Sequence, residues 1–366
     1  MKALVYGGTG PSGPYIVAGL IKRGFQVAIF HRGEHEVDLP SEVEHIHGDP
    51  HFVDTVEQAL GSNTYDLTIA MYGRLRFTAQ VMQKRTPRFI AVGGVGVYRG
   101  WINLAMSEPS RIPIHEDAPL QTEPEVDKFS YRMVEAEWAV MAGHQAGHYN
   151  ATHFRYPMIY GPRQLAPREW SIVRRILDGR QRLILADGGL TLESRGYAEN
   201  MAHALMLAVD KPDACAGQIY NVRDDGLLDT KDWVNVIAGM MGHRFEFVEM
   251  PYALARPARI YNGRSQHRVL DISKVKAELG YTDIVPIEKA VEMSARYYLE
   301  NRPKPGGETE QQLRDPFDYD AEDRLIEKYY ELANQVREVA PAALGFRHPY
   351  SHPKKPGEQP TVTPGT

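Results

Sequence analysis

Residues 2–13 read KALVYGGTGPSG, an apolar strand pattern that runs directly into a glycine-rich loop. Residues 16–23 continue with helical spacing, so the stretch predicts a strand, a tight loop and a helix in succession. Such a loop offers unpaired backbone N–H groups at a helix N-terminus, which favours a phosphate. Gly7, Gly10 and Gly13 suit a turn, a close backbone approach and close helix packing. The stretch therefore predicts a dinucleotide site, with contacts expected from Gly7, Thr9, Gly10, Pro11, Ser12 and Gly13.

Strand and helix patterns alternate over the first 160 residues. Strands are predicted at 3–6, 26–30, 67–71, 89–92 and 152–156, and helices at 16–23, 53–60 and 130–146. This alternation is typical of a parallel sheet with helices on both faces. A helix at 195–209 and a strand at 218–222 are expected to complete the sheet. The sequence thus predicts an α/β fold, a Rossmann-type doubly wound parallel sheet.

The predicted domain organisation has three parts. Residues 1–160 form the dinucleotide-binding Rossmann domain, completed by about 195–222. Mixed short elements at 161–194 and 223–300 predict a smaller mixed α/β substrate lobe. From residue 301, Pro and Gly interrupt the pattern, so 301–366 is expected to be a C-terminal extension with one amphipathic helix and a flexible tail.

Composition narrows the function classes. The chain has 366 residues with 43% hydrophobic and 24% charged residues, which is ordinary for a globular protein. A net charge of −5 argues against a nucleic-acid partner, because gripping phosphates needs surplus Lys and Arg. Cys215 is the one cysteine, which excludes a disulfide framework and fits a reducing, cytoplasmic location. No signal-peptide pattern or membrane-spanning run is visible, and the histidines near residues 31–51 lack the carboxylate or cysteine partners of a metal site, so no metal is expected.

The residues at the end of the second strand, in VAIFHRG (27–33), indicate which cofactor the site prefers. An NAD site carries an acidic residue there, whereas His31 and Arg32 occupy the place in this chain. A guanidinium can bind a 2′-phosphate through two charge-assisted hydrogen bonds. We therefore expect NADP(H) in preference to NAD(H). Asp49 ends the third strand and is expected either to bind the adenine or to be a simple turn aspartate.

The chain resembles the NAD-dependent epimerase/dehydratase family of the extended short-chain dehydrogenase/reductase superfamily. The resemblance rests on GGTGPSG (7–13), GD (48–49), VY (97–98), FRYP (154–157), IYGP (159–162), AEN (198–200) and YNV (220–222). It implies a catalytic Ser, Tyr and Lys, but the matching positions are Gly94, Phe129 and Met133. It also implies cofactor contacts from Tyr72, Gly73 and Tyr156, and substrate contacts from Gly94, Arg195 and Arg264.

Other tyrosines are candidates for the missing proton donor: Tyr131, Tyr98 and Tyr72. The family's Tyr and Lys lie four residues apart on one helix, and two alignments of that pair are conceivable. The first places it at Phe129 and Met133; the second register places it at Tyr131 and Glu135. Residues two apart on a helix point about 200° apart, so only one register can face the nicotinamide. We favour the register of Phe129 and Met133, which makes an apolar i, i+4 pair.

The resulting hypothesis is an NAD(P)-dependent oxidoreductase or epimerase/dehydratase, acting as a homodimer on a small molecule between the lobes, with a non-standard active site. An alternative is a catalytically silent NADP(H)-binding sensor or assembly protein. A third hypothesis is RNA binding, which one chloroplast branch of the superfamily shows; the negative net charge counts against it.

Overall fold

The computed structural model describes residues 1–34, 37–71, 74–102, 110–339 and 355–357. Within them the strands are β1 (Lys2–Tyr6), β2 (Gln26–His31), β3 (Glu44–His47), β4 (Leu67–Met71), β5 (Arg88–Gly94), β6 (Asn150–Tyr156), β7 (Met158–Tyr160), β8 (Arg182–Ala186), β9 (Arg195–Tyr197), β10 (Gln218–Asn221) and β11 (Glu246–Met250). The helices are α1 (Gly13–Lys22), α2 (Val53–Leu60), α3 (Leu75–Met82), α4 (Lys128–Gln145), α5 (Arg168–Leu177), α6 (Ala198–Asp210), α7 (Thr230–Met240), α8 (Arg259–Asn262), α9 (Ser273–Leu279), α10 (Ile287–Glu300), α11 (Glu308–Leu313) and α12 (Tyr319–Val339).

Seven parallel strands form the central sheet in the order β10-β6-β5-β4-β1-β2-β3. Strand β1 lies between β2 and β4, with Val5 opposite both Ile29 and Ile69. The chain leaves β1 toward one edge of the sheet and later returns to the other side, so the loop after β1 lies where the strand order reverses. Ligands of such sheets bind at this point. The strand order confirms the predicted Rossmann-type fold.

Both faces of the sheet are buried, which explains why its strands are almost continuously apolar. Ala3 and Val5 point to one face, where they pack with helices α1 and α6. Leu4 and Tyr6 point to the other face, into a core that includes residues of α2, α3 and α4. The alternation along β1 is the period of two that a strand imposes.

Two short parallel pairs, β7 with β9 and β8 with β11, lie outside the main sheet. The predicted helix at 195–209 was therefore wrong at its start: Arg195–Tyr197 is strand β9, and helix α6 begins only at Ala198. The reason is tertiary, because the backbone of these three residues pairs with Met158–Tyr160. The helical apolar pattern itself continues as predicted.

Contacts divide the chain into two compact units, Met1–Phe317 and Asp318–Thr366. The first unit contains the residues of the predicted substrate lobe, 161–194 and 223–300, together with the Rossmann part. Residues 301–317, which we expected in the extension, belong to the first unit, where Asp315 makes a buried ion pair with Arg175 at 2.5 Å.

The second unit contains α12, which corresponds to the predicted amphipathic helix. Asp318 precedes it and accepts a hydrogen bond from the backbone N–H of Ala321 at 3.0 Å, as a capping residue does. The expected flexible tail lies almost entirely outside the described residues.

Candidate functional site

The loop between β1 and α1 has the backbone geometry of a phosphate cradle. Gly7 and Gly8 have φ angles of +94° and +89°, in the left-handed region that glycine tolerates best. A Cβ on Gly13 would lie 2.1 Å from the carbonyl oxygen of Gly8, so only glycine permits the close packing there. A Cβ on Gly10 would meet no heavy atom within 4 Å, which leaves open space beside the loop. The prediction did not include Gly8, although GG at positions 7–8 was visible in the sequence.

Of the remaining predicted loop residues, Thr9 lines a pocket beside the loop, whereas Pro11 and Ser12 are not among its described lining residues. This pocket has a volume of about 180 Å³ and is also lined by Gly7. Pro11 is half-buried in the turn, and Ser12 is buried at the N-cap of α1, where its side chain makes no capping hydrogen bond. In the first turn of α1 the Gly13 N–H donates to the Gly10 carbonyl at 3.0 Å and Pro14 has no N–H, so Tyr15 carries the first helical N–H that a bound phosphate would satisfy.

The end of β2 forms the other wall of this pocket, as predicted for His31 and Arg32. The His31 ring is buried, accepts a hydrogen bond from the backbone N–H of Gly33 at 3.2 Å and lies 3.1 Å from the His45 ring nitrogen. The Arg32 side chain is 45% exposed and pairs with Glu34 at 2.6 Å. Sequence reasoning missed Glu34, which also lines the pocket.

Asp49 is held within its own turn. Its Oδ1 accepts hydrogen bonds from the backbone N–H of His51 at 2.8 Å and lies 2.6 Å from the His51 ring. The hydrogen bond from the His51 backbone is the main cause of a lowered Asp49 pKa. This arrangement is that of a turn aspartate, the alternative to adenine binding.

A second cavity of about 700 Å³ carries residues from both the Rossmann part and the region after residue 160. Phe129 and Met133 line it, in agreement with the register that we favoured on helix α4, and Val95 and Gly96 line it next to Gly94. Tyr131 is half-buried on α4 and is not one of the described residues that line the cavity. The chain therefore presents hydrocarbon and thioether groups where the family resemblance implies a phenol and an ammonium group.

Charged side chains also line this cavity. Arg264, which we expected to contact a substrate, lines it together with Arg168, Arg259, Arg268 and Glu193, which were not predicted as site residues. Glu193 accepts a hydrogen bond from Arg168 at 3.0 Å and a further one from Arg268. Burial alone would raise the pKa of Glu193, but the surrounding arginines lower it, so this carboxyl group stays ionised.

Arg195 does not line this cavity. Its guanidinium is buried over the Trp233 ring at 4.6 Å and lies 3.8 Å from Glu193. It borders a cavity of about 30 Å³ together with Glu169. Burial lowers its pKa, partly against the attraction of Glu193. Arg195 thus lies behind the charged side of the large cavity and supports it, in contrast to the direct substrate contact we expected.

Tyr98 is part of a buried network. Its hydroxyl donates to Asn221 at 2.6 Å and accepts from Arg155 at 2.7 Å, and Arg155 also makes a two-pronged ion pair with Glu137 at 2.7 and 2.8 Å. Burial raises the Tyr98 pKa to about 12, although Arg155 opposes the shift. Both hydrogen-bonding roles of this hydroxyl are already taken, which argues against proton transfer to a ligand.

His153 lies on β6, two residues before Arg155, and its Nε2 lies 3.4 Å from Glu137 Oε2. Burial lowers its pKa to about 4, although Glu137 opposes the shift, so the ring is neutral. A Cβ on Gly93 would lie 2.6 Å from its Nε2, which explains the glycine at that position.

Tyr156 also differs from its predicted role. It borders the large cavity, but its hydroxyl donates to the backbone carbonyl of Met201 in α6 at 2.8 Å. Tyr72 and Gly73 lie outside the described residues. Tyr252 also lines the cavity and is half-buried, whereas Tyr156 is buried; the Tyr252 hydroxyl donates to the Gly263 carbonyl at 3.2 Å. The sequence carried no signal for Tyr252.

Among the described residues, no group of three or more His, Cys, Asp or Glu side chains is placed to hold a metal ion. His31, His45 and His47 do cluster, with ring centroids 4.7 to 6.4 Å apart and their rings edge-on or tilted to one another. No helix in the described ranges is both long and apolar enough to cross a bilayer.

Comparison with solved structures finds the same architecture. The UDP-glucose 4-epimerase of Thermotoga maritima, solved with UDP-glucose, has 16% identity and a TM-score of 0.67, over 83% of this chain and 100% of that one. A dTDP-glucose 4,6-dehydratase of Streptomyces venezuelae, solved with NAD and TYD, has 18% identity and a TM-score of 0.63, over 82% of this chain and 98% of that one. At these identities the likeness shows a shared fold.

Comparison of sequences adds the family. A curated relative, the chloroplast stem-loop binding protein of 41 kDa b of Arabidopsis thaliana, is 24% identical over 303 residues, covering 76% of this chain and 74% of that protein. The model of the NAD dependent epimerase/dehydratase family matches residues 3–222, more than half of the chain. Together with the glycine cradle at the sheet's reversal point, this match shows that the chain belongs to the NAD-dependent epimerase/dehydratase family.

Proposed function

We propose that this protein is an NADP(H)-dependent enzyme of the epimerase/dehydratase type, with a small molecule as substrate and a non-standard proton donor. The observation that carries the proposal is the open space at Gly10 beside a loop that only glycines can form at Gly7 and Gly13. The backbone of this loop would hold the pyrophosphate, Thr9 and His31 would border the adenosine, and Arg32 would bind the 2′-phosphate. When bound, the nicotinamide supplies the hydride chemistry.

The residues of the chain supply shape and proton transfer. Phe129, which is 62% exposed, and Met133 would contact the reacting part of the substrate through apolar groups, since both line the cavity. We assign proton transfer to the hydroxyl of Tyr252, because Tyr252 is half-buried and donates to a carbonyl at 3.2 Å, whereas Tyr156, the other tyrosine among the described lining residues, is buried and donates into the core at 2.8 Å. The Tyr252 ring is fixed by Arg259, whose guanidinium stacks 4.6 Å above it.

The test combines binding with turnover. Purified protein is titrated with NADPH and NADH, and NADPH oxidation is followed by absorbance with panels of carbonyl and enone compounds. We expect NADPH binding and turnover of at least one compound, with turnover lowered at least tenfold by Tyr252→Phe while NADPH affinity is kept. Binding without turnover on any panel would favour the second candidate, a catalytically silent NADP(H) sensor, which the replacement of the family's Ser, Tyr and Lys by Gly94, Phe129 and Met133 supports.

Cofactor preference has its own test at Arg32. Arg32→Ala removes the proposed 2′-phosphate contact and should weaken NADPH about 10-fold or more, with little change for NADH. Glu34→Gln frees the guanidinium from its 2.6 Å ion pair and should strengthen NADPH. Arg99→Ala is the matched control, because Arg99 is also exposed and paired with a glutamate, at 3.3 Å. Equal losses of NADPH and NADH in Arg32→Ala would refute the preference.

Oligomeric state belongs to the same proposal. We infer a homodimer that uses helix α4, because Trp138 on this helix is 47% exposed, which is unusual for so large an apolar group. Light scattering after size exclusion should give twice the monomer mass for the native chain and the monomer mass for Trp138→Glu. A monomeric native protein rejects this part.

RNA binding is a further candidate because the name of the Arabidopsis thaliana relative describes it as a stem-loop binding protein. The net charge of −5 works against a phosphate-driven interaction. Titration of a labelled RNA stem-loop at several salt concentrations decides the question. Tight binding that weakens steeply with salt would support RNA as a ligand.

A further inference from the structure

One side of the 700 Å³ cavity is an apolar wall, formed by Val95, Gly96, Ile102, Phe129 and Met133. These residues pack as one surface: a Cβ on Gly96 would lie 3.0 Å from the Met133 sulfur and 3.5 Å from Ile102 Cγ1. Their side chains carry no hydrogen-bonding N–H or O–H group. A ligand part that contacts this wall gains by losing contact with water, provided that it is itself apolar.

The cavity also has a charged wall, formed by Arg168, Glu193, Arg259, Arg264 and Arg268. Its members are close together, since a Cβ on Gly263 would lie 3.1 Å from Glu193 Oε2 and 3.5 Å from Arg168 Nη1. Four guanidinium groups face one carboxylate, and that carboxylate is already engaged by Arg168 and Arg268. The wall therefore has a surplus of positive charge that no other lining group among the described residues neutralises.

Among the described arginines of the charged wall, Arg264 is the one available to bind an anion. Arg259 is engaged, because it stacks on Tyr252 and donates to the backbone carbonyl of Tyr252 at 3.3 Å. Arg264 is half-buried, and no hydrogen bond or ion pair joins it to any other described residue. A partly buried guanidinium is best satisfied by an anion, and its planar fork fits a carboxylate or a phosphate.

The two walls meet at Trp101, which also lines the cavity. Arg268 stacks over the Trp101 ring at 5.2 Å and donates to its backbone carbonyl at 3.3 Å. A ligand that spans the cavity would thus contact an aromatic surface between an apolar end and a cationic end.

We propose that the ligand of this cavity is an amphiphilic acid, with one carboxylate or phosphate head bound by Arg264 and an aromatic or branched aliphatic body against the apolar wall. The inference rests on the proposed function in that the body lies on helix α4, the side where the nicotinamide is expected. A nucleotide-sugar fits less well, because its sugar hydroxyls would lose water against the apolar wall without finding partners there.

Calorimetric titration of the full chain tests this inference, with and without NADPH. The probes are 3-phenylpropanoate, phenyl phosphate, methyl 3-phenylpropanoate and UDP-glucose. We expect one acid to bind at least 10-fold more tightly than the uncharged ester and than UDP-glucose; whichever acid binds more tightly identifies the head as carboxylate or phosphate. Tighter binding of UDP-glucose, equal binding of acid and ester, or no binding of either acid overturns the inference.

Variants separate the two walls. Arg264→Ala should weaken the acid at least 10-fold, and Arg244→Ala, which removes an exposed arginine outside the cavity, should leave its affinity unchanged. Phe129→Gln should weaken the acid while inorganic phosphate binds as before. An unchanged affinity in Arg264→Ala also overturns the inference. If an acid binds through Arg264 and NADPH does not bind, the proposed function fails and this inference stands. If NADPH binds and UDP-glucose binds more tightly than either acid, the proposed function stands and this inference fails.

Discussion

Replacing Gly10 with alanine isolates the cofactor cradle from the stability of the fold. Gly10 does not require a left-handed backbone, and its Cβ would meet no heavy atom within 4 Å, so Gly10→Ala should fold with an unchanged melting temperature. The added methyl group would occupy the space through which we expect the pyrophosphate to approach the backbone. The neighbouring substitution Gly13→Ala differs, because its Cβ would lie 2.1 Å from a backbone oxygen and the loop must move.

The size of the effect follows from the hydrogen bonds at risk. A hydrogen bond to a charged group contributes about 1.5–3 kcal/mol, so losing one backbone contact to the phosphate should weaken NADPH about 10- to 150-fold. Gly13→Ala should lose NADPH binding and melt at a lower temperature. Gly239→Ala is the control: this exposed glycine in α7 also has open space at its Cβ, and alanine there should stabilise the helix by about 0.5–1 kcal/mol.

The assay is calorimetric titration with NADPH beside thermal melting of all three variants. The expected pattern is loss of affinity alone for Gly10→Ala, loss of both affinity and stability for Gly13→Ala, and loss of neither for Gly239→Ala. NADPH binding by Gly10→Ala at the native affinity would refute the assignment of the loop, because the methyl group and the pyrophosphate cannot share that space.

Further predictions concern the buried charges. Glu137→Gln leaves the Arg155 guanidinium buried and unpaired, so urea unfolding should show a loss of about 3–5 kcal/mol. Asp315→Asn should lower stability by a similar amount, because the buried Arg175 charge loses its carboxylate partner. Equal urea unfolding midpoints for the variant and the native chain would contradict this expectation. Burial raises the pKa of Asp224 to about 7, so the folded chain holds a proton that the unfolded chain has released; stability from this group is present at low pH and is lost as pH rises from about 4 to 7. Asp224→Asn keeps an acceptor for Asn200 and should therefore melt higher than the native chain at pH 8 but not at pH 4, and the same difference at both pH values would contradict this reasoning.

Much of the fold was predictable because its signals are local. Helix α2 (Val53–Leu60) and strand β4 (Leu67–Met71) begin and end where the periodicity placed them. The start of α6 was missed because strand β9 forms by pairing with β7, about 40 residues earlier in the chain, and no local pattern records that pairing.

In the candidate site, too, features set by local spacing were predictable and features set by distant contacts were not. The glycine cradle and the apolar pair Phe129 and Met133 were predictable, since the spacing of residues on one loop or one helix face fixes them. The roles of Tyr98 and Tyr156 were not predictable, because their hydroxyl partners Asn221 and Met201 lie 123 and 45 residues away.

The sequence by itself determined the alternation of strands and helices and the glycine loop after the first strand. These features depend on residues within one or two turns of each other. Only the tertiary structure decided which arginines face a ligand and which are neutralised. Glu193 meets Arg168 and Arg268 across 25 and 75 residues of chain, and that choice of partners leaves Arg264 without a hydrogen bond or ion pair to any residue in the described ranges. Electrostatic pairing depends on distance in space, and the sheet and its connections set that distance.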